Sequence, residues 1–87
     1  MKPVKFFYQP RCPHCLRAME EMDALLAREP YARLSVERID ELAEPELADR
    51  YDYYYVPTFY VGDSKAHEGA IRPGEVEAVL RRALDRE

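Results

Sequence analysis

Cys12-Pro13-His14-Cys15 is the stretch on which the reading of this chain turns. These are the only two cysteines in the sequence. They follow an apolar run, Val4-Lys5-Phe6-Phe7-Tyr8, which reads as a buried strand ending at Pro10. Behind them apolar residues recur at Cys15, Met19, Met22 and Leu26, with Leu16 and Leu25 widening the stripe. That spacing predicts a helix from Pro13 to Glu29, stopped by Pro30. Pro13 suits the first helical position, where an N–H has no intrahelical partner. A thiol at such a helix start faces the positive end of the backbone dipole and unpaired N–H groups. Both favour thiolate, the reactive form of cysteine. Two thiols so close in sequence can close a disulfide with each other and open it again. The motif therefore points to thiol–disulfide exchange.

Two other chemistries use the same residues. Zinc wants about four ligands, and the sequence has no second CxxC and no HxxxH pair. Beyond the cysteines only His14 and the isolated His67 remain as nitrogen ligands. A metal reading therefore needs Cys12, Cys15 and His14 from two copies of the chain, sharing zinc, copper or a cluster across a dimer. Cysteines can also be plain core residues. Pro13 between them marks a helix-start turn and argues against that.

At 87 residues the chain makes one domain, 1–87, with no room for a separate cofactor-binding domain. A net charge of −4 with no Lys/Arg-rich run gives no sign of nucleic-acid binding. The start, Met1-Lys2-Pro3-Val4-Lys5, runs straight into the strand pattern, and no apolar stretch is long enough for a signal peptide or membrane span. The expectation is a cytoplasmic monomer, in a reducing compartment where a cysteine pair is catalytic sooner than a permanent staple.

Further along, Leu34, Val36 and Ile39 suggest a second strand ending at Asp40-Glu41. Glu44-Pro45 opens a short helix to about Tyr51. Thr58 to Val61 is β-rich, and Gly62-Asp63 turns the chain into a strand from Lys65 to Glu68. Pro73 fits the first position of a last helix with Val76, Val79, Leu80, Ala83 and Leu84 on one face. Arg72 is a poor N-cap there, and Glu75 can reach back to help. The order β-α-β-α-β-β-α implies an α/β fold: a four-stranded mixed sheet, with three helices over both faces. Its first two strands are parallel, joined by a right-handed crossover. Tyr51, Tyr53, Tyr54 and Tyr55 read chiefly as a core edge with wet phenol tips, and otherwise as a partner surface. His14 could add positive charge beside the thiolate as an imidazolium. His67 reads as a surface residue.

Three stretches resemble the thioredoxin/glutaredoxin superfamily, nearly end to end. Phe6-Phe7-Tyr8-Gln9-Pro10-Arg11-Cys12-Pro13-His14-Cys15 looks like its strand, loop and active-site helix start. Tyr51-Asp52-Tyr53-Tyr54-Tyr55-Val56-Pro57-Thr58-Phe59 resembles the segment leading to its cis-proline. Gly69-Ala70-Ile71-Arg72-Pro73-Gly74-Glu75-Val76 is similar to the glycine turn and last helix of thioredoxins. Small prokaryotic thioredoxin-like proteins with a CPHC centre are the nearest likeness.

The resemblance implies that Cys12 is the nucleophile and Cys15 the resolving thiol, with no cofactor beyond their redox-active disulfide. It implies that Pro57 is a cis-proline facing that disulfide. It also implies that Val56 and Gly69 line a groove for extended peptide. The implied activity is a dithiol–disulfide oxidoreductase acting on disulfide-containing proteins, recharged by a thioredoxin-reductase-like donor or by glutathione. The chain departs from the family in three places. Phe6 stands where many thioredoxins carry a buried aspartate, and Arg11 where an aromatic residue usually precedes the first cysteine. Gly69-Ala70 and Arg72-Pro73-Gly74 replace the Gly-Gly turn and acidic residues by which glutaredoxins hold glutathione, although a glutathione-dependent glutaredoxin stays the alternative. With Arg11, Pro13 and His14 tuning the centre, the disulfide is expected to be more oxidising than thioredoxin's, about −270 mV.

Overall fold

The computed structural model describes residues 1–84; residues 85–87, the end of the expected domain, lie outside the described residues. Its elements are β1 (Val4–Tyr8), α1 (Pro13–Leu26), a single 3-10 turn (Tyr31–Arg33), β2 (Val36–Asp40), α2 (Pro45–Ala48), β3 (Thr58–Val61), β4 (Ser64–Glu68) and α3 (Glu75–Leu84). The four strands form one sheet in the order β2-β1-β3-β4. β1 runs parallel to β2, with Val4 opposite Val36 and Phe7 opposite Ile39. It runs antiparallel to β3, with Phe6 opposite Phe59, and β3 runs antiparallel to β4. This is the mixed α/β sheet that the element order implies.

Side chains alternate across a strand, and here both faces of β1 are covered. Phe6 points to one face with Val4, Phe59 and Val61, under Ala18, Met22 and Leu25 of α1 and Val76, Val79, Leu80 and Ala83 of α3. Phe7 points to the other face with Ile39 and Tyr60, under Ala48 of α2 and the flanking Leu47, Tyr51, Tyr53 and Val56. Both phenylalanines are fully buried, each contributing about 1.5–3 kcal/mol of transfer free energy. Burial on both faces explains why the adjacent Phe6 and Phe7 are both apolar instead of alternating with polar residues.

Several boundaries differ from the sequence pattern. α1 stops at Leu26, and its buried stripe is Cys15, Ala18, Met22 and Leu25. Leu16, one step round the helix, is half exposed instead of widening that stripe. Leu34 caps the 3-10 turn and precedes β2. α2 is a single turn and ends at Ala48, not near Tyr51. α3 begins at Glu75 instead of Pro73, because Gly74 has φ +90°, a left-handed conformation incompatible with a helix. Glu75 reaches back as the sequence suggests, accepting the N–H of Arg72 at 2.7 Å. Among the described residues no helix is long and apolar enough to cross a membrane.

Candidate functional site

Cys12 is the N-cap of α1, in extended backbone (φ −80°, ψ 116°), with Pro13 in the first turn. Its Sγ accepts the backbone N–H of Cys15 at 3.3 Å. The sulfur thus takes the place a serine or aspartate oxygen holds at an ordinary helix start. A proline after the cap removes one donor that would otherwise lack a partner. Cys12 is half-buried and Cys15 is fully buried. Both are free thiols.

The two sulfurs live in different surroundings. Burial pushes the Cys15 thiol up from 9.0 to about 12, aided by its hydrogen bond to Cys12 and by the negative charge of Glu41. A backbone hydrogen bond from Gln9 pulls the other way, more than the Glu41 charge adds. At neutral pH Cys15 is therefore a protonated thiol waiting behind an accessible one. Such a pair divides its labour, since only the outer sulfur can meet a bulky partner.

Around Cys12, Arg11, Pro13 and His14 are all exposed. Arg17, which the sequence reading passed over, brings its Nη2 to 3.4 Å from His14 Nδ1. A guanidinium can donate there only when Nδ1 carries no proton. Positive charge at the helix start thus comes from arginine, whether or not the imidazole is protonated. Among the described residues no three His, Cys, Asp or Glu side chains converge as a metal site would require.

The Val56–Pro57 bond is cis, and Pro57 is buried. Its carbonyl accepts the N–H of Gly69 at 2.8 Å, where β4 ends. Gly69 has φ +89°, so the turn beside Pro57 needs a residue that tolerates left-handed backbone. The N–H of Gly69 is thereby committed to Pro57 and is not open to a peptide. Val56 is half-buried against the α2-side core. Glu68 of β4 accepts the backbone N–H groups of Tyr54 and Tyr55 and is itself paired with Lys65 at 2.7 Å. Lys65 also donates to the Asp52 carbonyl at 3.1 Å. This clip fixes the segment before Val56, and neither of its charged residues stands out in sequence.

The tyrosine run divides. Tyr51 and Tyr53 pack on Phe7, each with ring centroids 4.9 Å away. Tyr54 and Tyr55 are 86% and 70% exposed, available as contact surface. His67 is half-buried and not a bare surface residue, its Nε2 lying 3.0 Å from the Ala70 carbonyl.

Comparison of the sequence with protein-family models and with curated proteins finds no match. Comparison of the structure with solved structures does. A structure titled as that of a malarial protein superposes with a TM-score of 0.71 at 19% identity, over 94% of this chain and 96% of that one. Reduced desulfothioredoxin from Desulfovibrio vulgaris Hildenborough superposes with a TM-score of 0.68 at 28% identity, over 93% of this chain and 80% of that one. A mutant of the thioredoxin-like protein BC3987 gives 0.56 at 22% identity, over 88% and 97%. The first and third likenesses speak to fold alone. The desulfothioredoxin likeness, together with the paired thiols at a helix start, supports a thiol redox role in general terms. The chain has a thioredoxin-like fold, with its cysteine pair forming a CxxC centre at the head of the first helix.

Proposed function

We propose that the protein is a dithiol–disulfide oxidoreductase acting on disulfide-bearing proteins in a reducing, cytoplasmic setting. The observation that carries this is the asymmetry of the pair: an accessible sulfur at a helix N-terminus over a buried, protonated one. The Cys12 thiolate attacks one sulfur of a substrate disulfide, forming a mixed disulfide and releasing the first substrate thiolate. Cys15 then loses its proton and attacks Cys12 Sγ, releasing the second substrate thiolate. Two electrons pass to the substrate, and the chain is left with a Cys12–Cys15 disulfide. A thioredoxin-reductase-like donor or glutathione returns it to the dithiol. The disulfide is the sole redox group the reaction needs.

In this reading the exposed Tyr54 and Tyr55, the clipped segment before Val56 and the turn at Gly69 form the wall against which substrate lies. Arg11, Pro13 and His14 shape the centre from the other side. The step order has its own test. A Cys15→Ser variant should accumulate covalent adducts with disulfide proteins that dissolve on adding dithiothreitol. Absence of any such adduct, in a variant whose Cys12 still alkylates, would contradict the reading.

A further inference from the structure

Between Asp40 and Asp52 the chain carries six carboxylates, Asp40, Glu41, Glu44, Glu46, Asp49 and Asp52, against one cation, Arg50. That segment holds −5 of a molecule whose net charge is −4, so the rest of the chain is +1. Elsewhere carboxylates meet cations: Asp23 meets Arg38, Glu29 Arg33, Glu37 Lys5, Glu68 Lys65 and Glu77 both Arg28 and Arg81. Among the described residues no such ion pair reaches any of the six. Like charge gathered in this way costs self-repulsion. An open groove of about 250 Å³ lies within the segment, lined by Glu41, Leu42, Pro45, Asp49, Tyr53 and Tyr54. Leu42 is 66% exposed and Tyr54 86%, and apolar surface inside a charged rim marks interaction sites. Pro45 also lines a second depression, with Glu44 and Glu46, which carries the negative surface on past the groove.

The groove borders the cysteine centre. β1 and β2 run parallel, so the loop leading to Cys12 and the loop starting at Glu41 leave the same end of the sheet. Gln9 ties the two loops together. Its carbonyl accepts the Cys12 N–H at 3.2 Å, and its side-chain amide donates to Glu41 Oε2 at 2.5 Å. Tyr53 donates its hydroxyl to the other oxygen, Oε1, at 2.6 Å. Tyr54, on the far wall, stands three residues before Pro57.

We propose that this groove docks disulfide-bearing proteins whose reactive cysteine lies beside an apolar residue and Lys or Arg, an inference that rests on the exchange reaction above. The apolar side chain covers Leu42, Pro45 and Tyr54, and the cations meet Asp49 and Glu46. Charge selects this occupant. Nucleic-acid phosphates and anionic lipid surfaces are repelled, and a bare cation would leave Leu42 and Tyr54 uncovered. The opposite sign across the sheet sets the direction of approach. α1 covers the Phe6 face and α2 the Phe7 face, and the exposed Arg11 and Arg17 belong to the α1 side. A basic segment is therefore drawn along α2 and turned away from α1 while its disulfide meets Cys12. The groove leaves the exchange chemistry as it is and adds a choice of substrate, made chiefly in the association rate.

Two synthetic peptides test it, each carrying one cysteine as its mixed disulfide with thionitrobenzoate. One has a leucine and two lysines beside the cysteine, the other a leucine and two glutamines. The Cys12 thiolate attacks the peptide sulfur, and thionitrobenzoate leaves with the electron pair. Cys15 then attacks Cys12 and releases the peptide thiolate. The rate of thionitrobenzoate release is divided by that peptide's rate with dithiothreitol alone, which removes the peptide's own reactivity. The lysine peptide should react about tenfold faster at low salt, and the preference should fade as salt approaches about 1 M. Glu46→Gln/Asp49→Asn should cut the preference to about twofold. Glu20→Gln/Asp63→Asn, which removes the same charge from exposed positions outside the segment, should keep it. A parent with no preference, or one lost equally in both double variants, overturns the proposal. So does a preference that disappears as the parent's concentration rises, which would give the groove to a second copy of the chain. Failure of either peptide to release thionitrobenzoate would instead overturn the exchange reaction itself, and the docking with it.

Discussion

Glu68 Oε2 accepts the backbone N–H of Tyr55 at 3.0 Å, which ties the end of β4 to the residue before Val56. The same oxygen takes the N–H of Tyr54, and Lys65 closes the clip from the other carboxylate oxygen. The Lys65 ammonium and then these backbone donors pull the Glu68 carboxyl down from 4.5 to about 2. A depressed carboxyl stabilises the fold fully above its ordinary value and loses that contribution as pH falls toward the folded value. The stability advantage of the parent over Glu68→Gln should therefore be constant near neutrality and shrink between about pH 4.5 and pH 2. Thermal melts of both proteins across that range check it.

Cys15 gives the opposite dependence. Its folded-state proton affinity is raised, from 9.0 to about 12. The protonated thiol therefore stabilises the fold below pH 9 and ceases to do so as pH climbs toward 12. Each unit of such a shift is about 1.4 kcal/mol. The dithiol protein should lose stability steeply above pH 9, whereas Cys15→Ala should lose less over the same interval. Denaturant midpoints from pH 8 upward would show parallel curves if burial of this thiol had no such effect.

Gly69→Ala isolates a backbone cost. A Cβ at Gly69 would meet Tyr55 Cβ at 3.8 Å, ordinary contact, so packing is not the obstacle. The obstacle is the φ of +89°, since left-handed backbone costs a non-glycine residue about 1–2 kcal/mol. A loss of that size in chemical denaturation is expected. A loss of much more would mean that the turn at Pro57 rearranges.

Arg11 and His14 are exposed residues close to Cys12 in the chain. Exposed charge pairs are worth about 0.2–1 kcal/mol, and 30 mV corresponds to about 1.4 kcal/mol for a two-electron couple. Arg11→Gln should thus lower the reduction potential by roughly 5–20 mV, since its charge favours the thiolate of the reduced form. His14→Gly should shift it in the same direction. Equilibration with glutathione buffers measures both, and unchanged potentials would make these side chains bystanders.

What the sequence showed and what it hid divide along chain separation. The helix start at Cys12 was legible because its signals are local: apolar spacing and Pro13 at the first position. The sheet was legible because Val4–Tyr8 and Thr58–Val61 are apolar runs bounded by turn residues. Leu16 misled because a widened stripe and an exposed residue beside an active helix turn look alike in one sequence. α3 starts two residues after Pro73, the good first residue the sequence offers, because the conformation of Gly74 is not written in its identity. The Gln9–Glu41–Tyr53 network and the Lys65–Glu68–Tyr55 clip were invisible for another reason. Their members are ordinary polar residues brought together from distant elements, and no spacing rule marks them.

The central claim is that Cys12 performs the exchange, and it is tested most directly by insulin-disulfide reduction with the dithiol protein. The parent should precipitate reduced insulin chains catalytically, with turnover sustained by dithiothreitol. Cys12→Ser, which keeps a capping oxygen at the head of α1 and leaves the buried Cys15 in place, should fall to the rate of dithiothreitol alone. Insulin reduction that survives in Cys12→Ser at the parent rate would contradict the account.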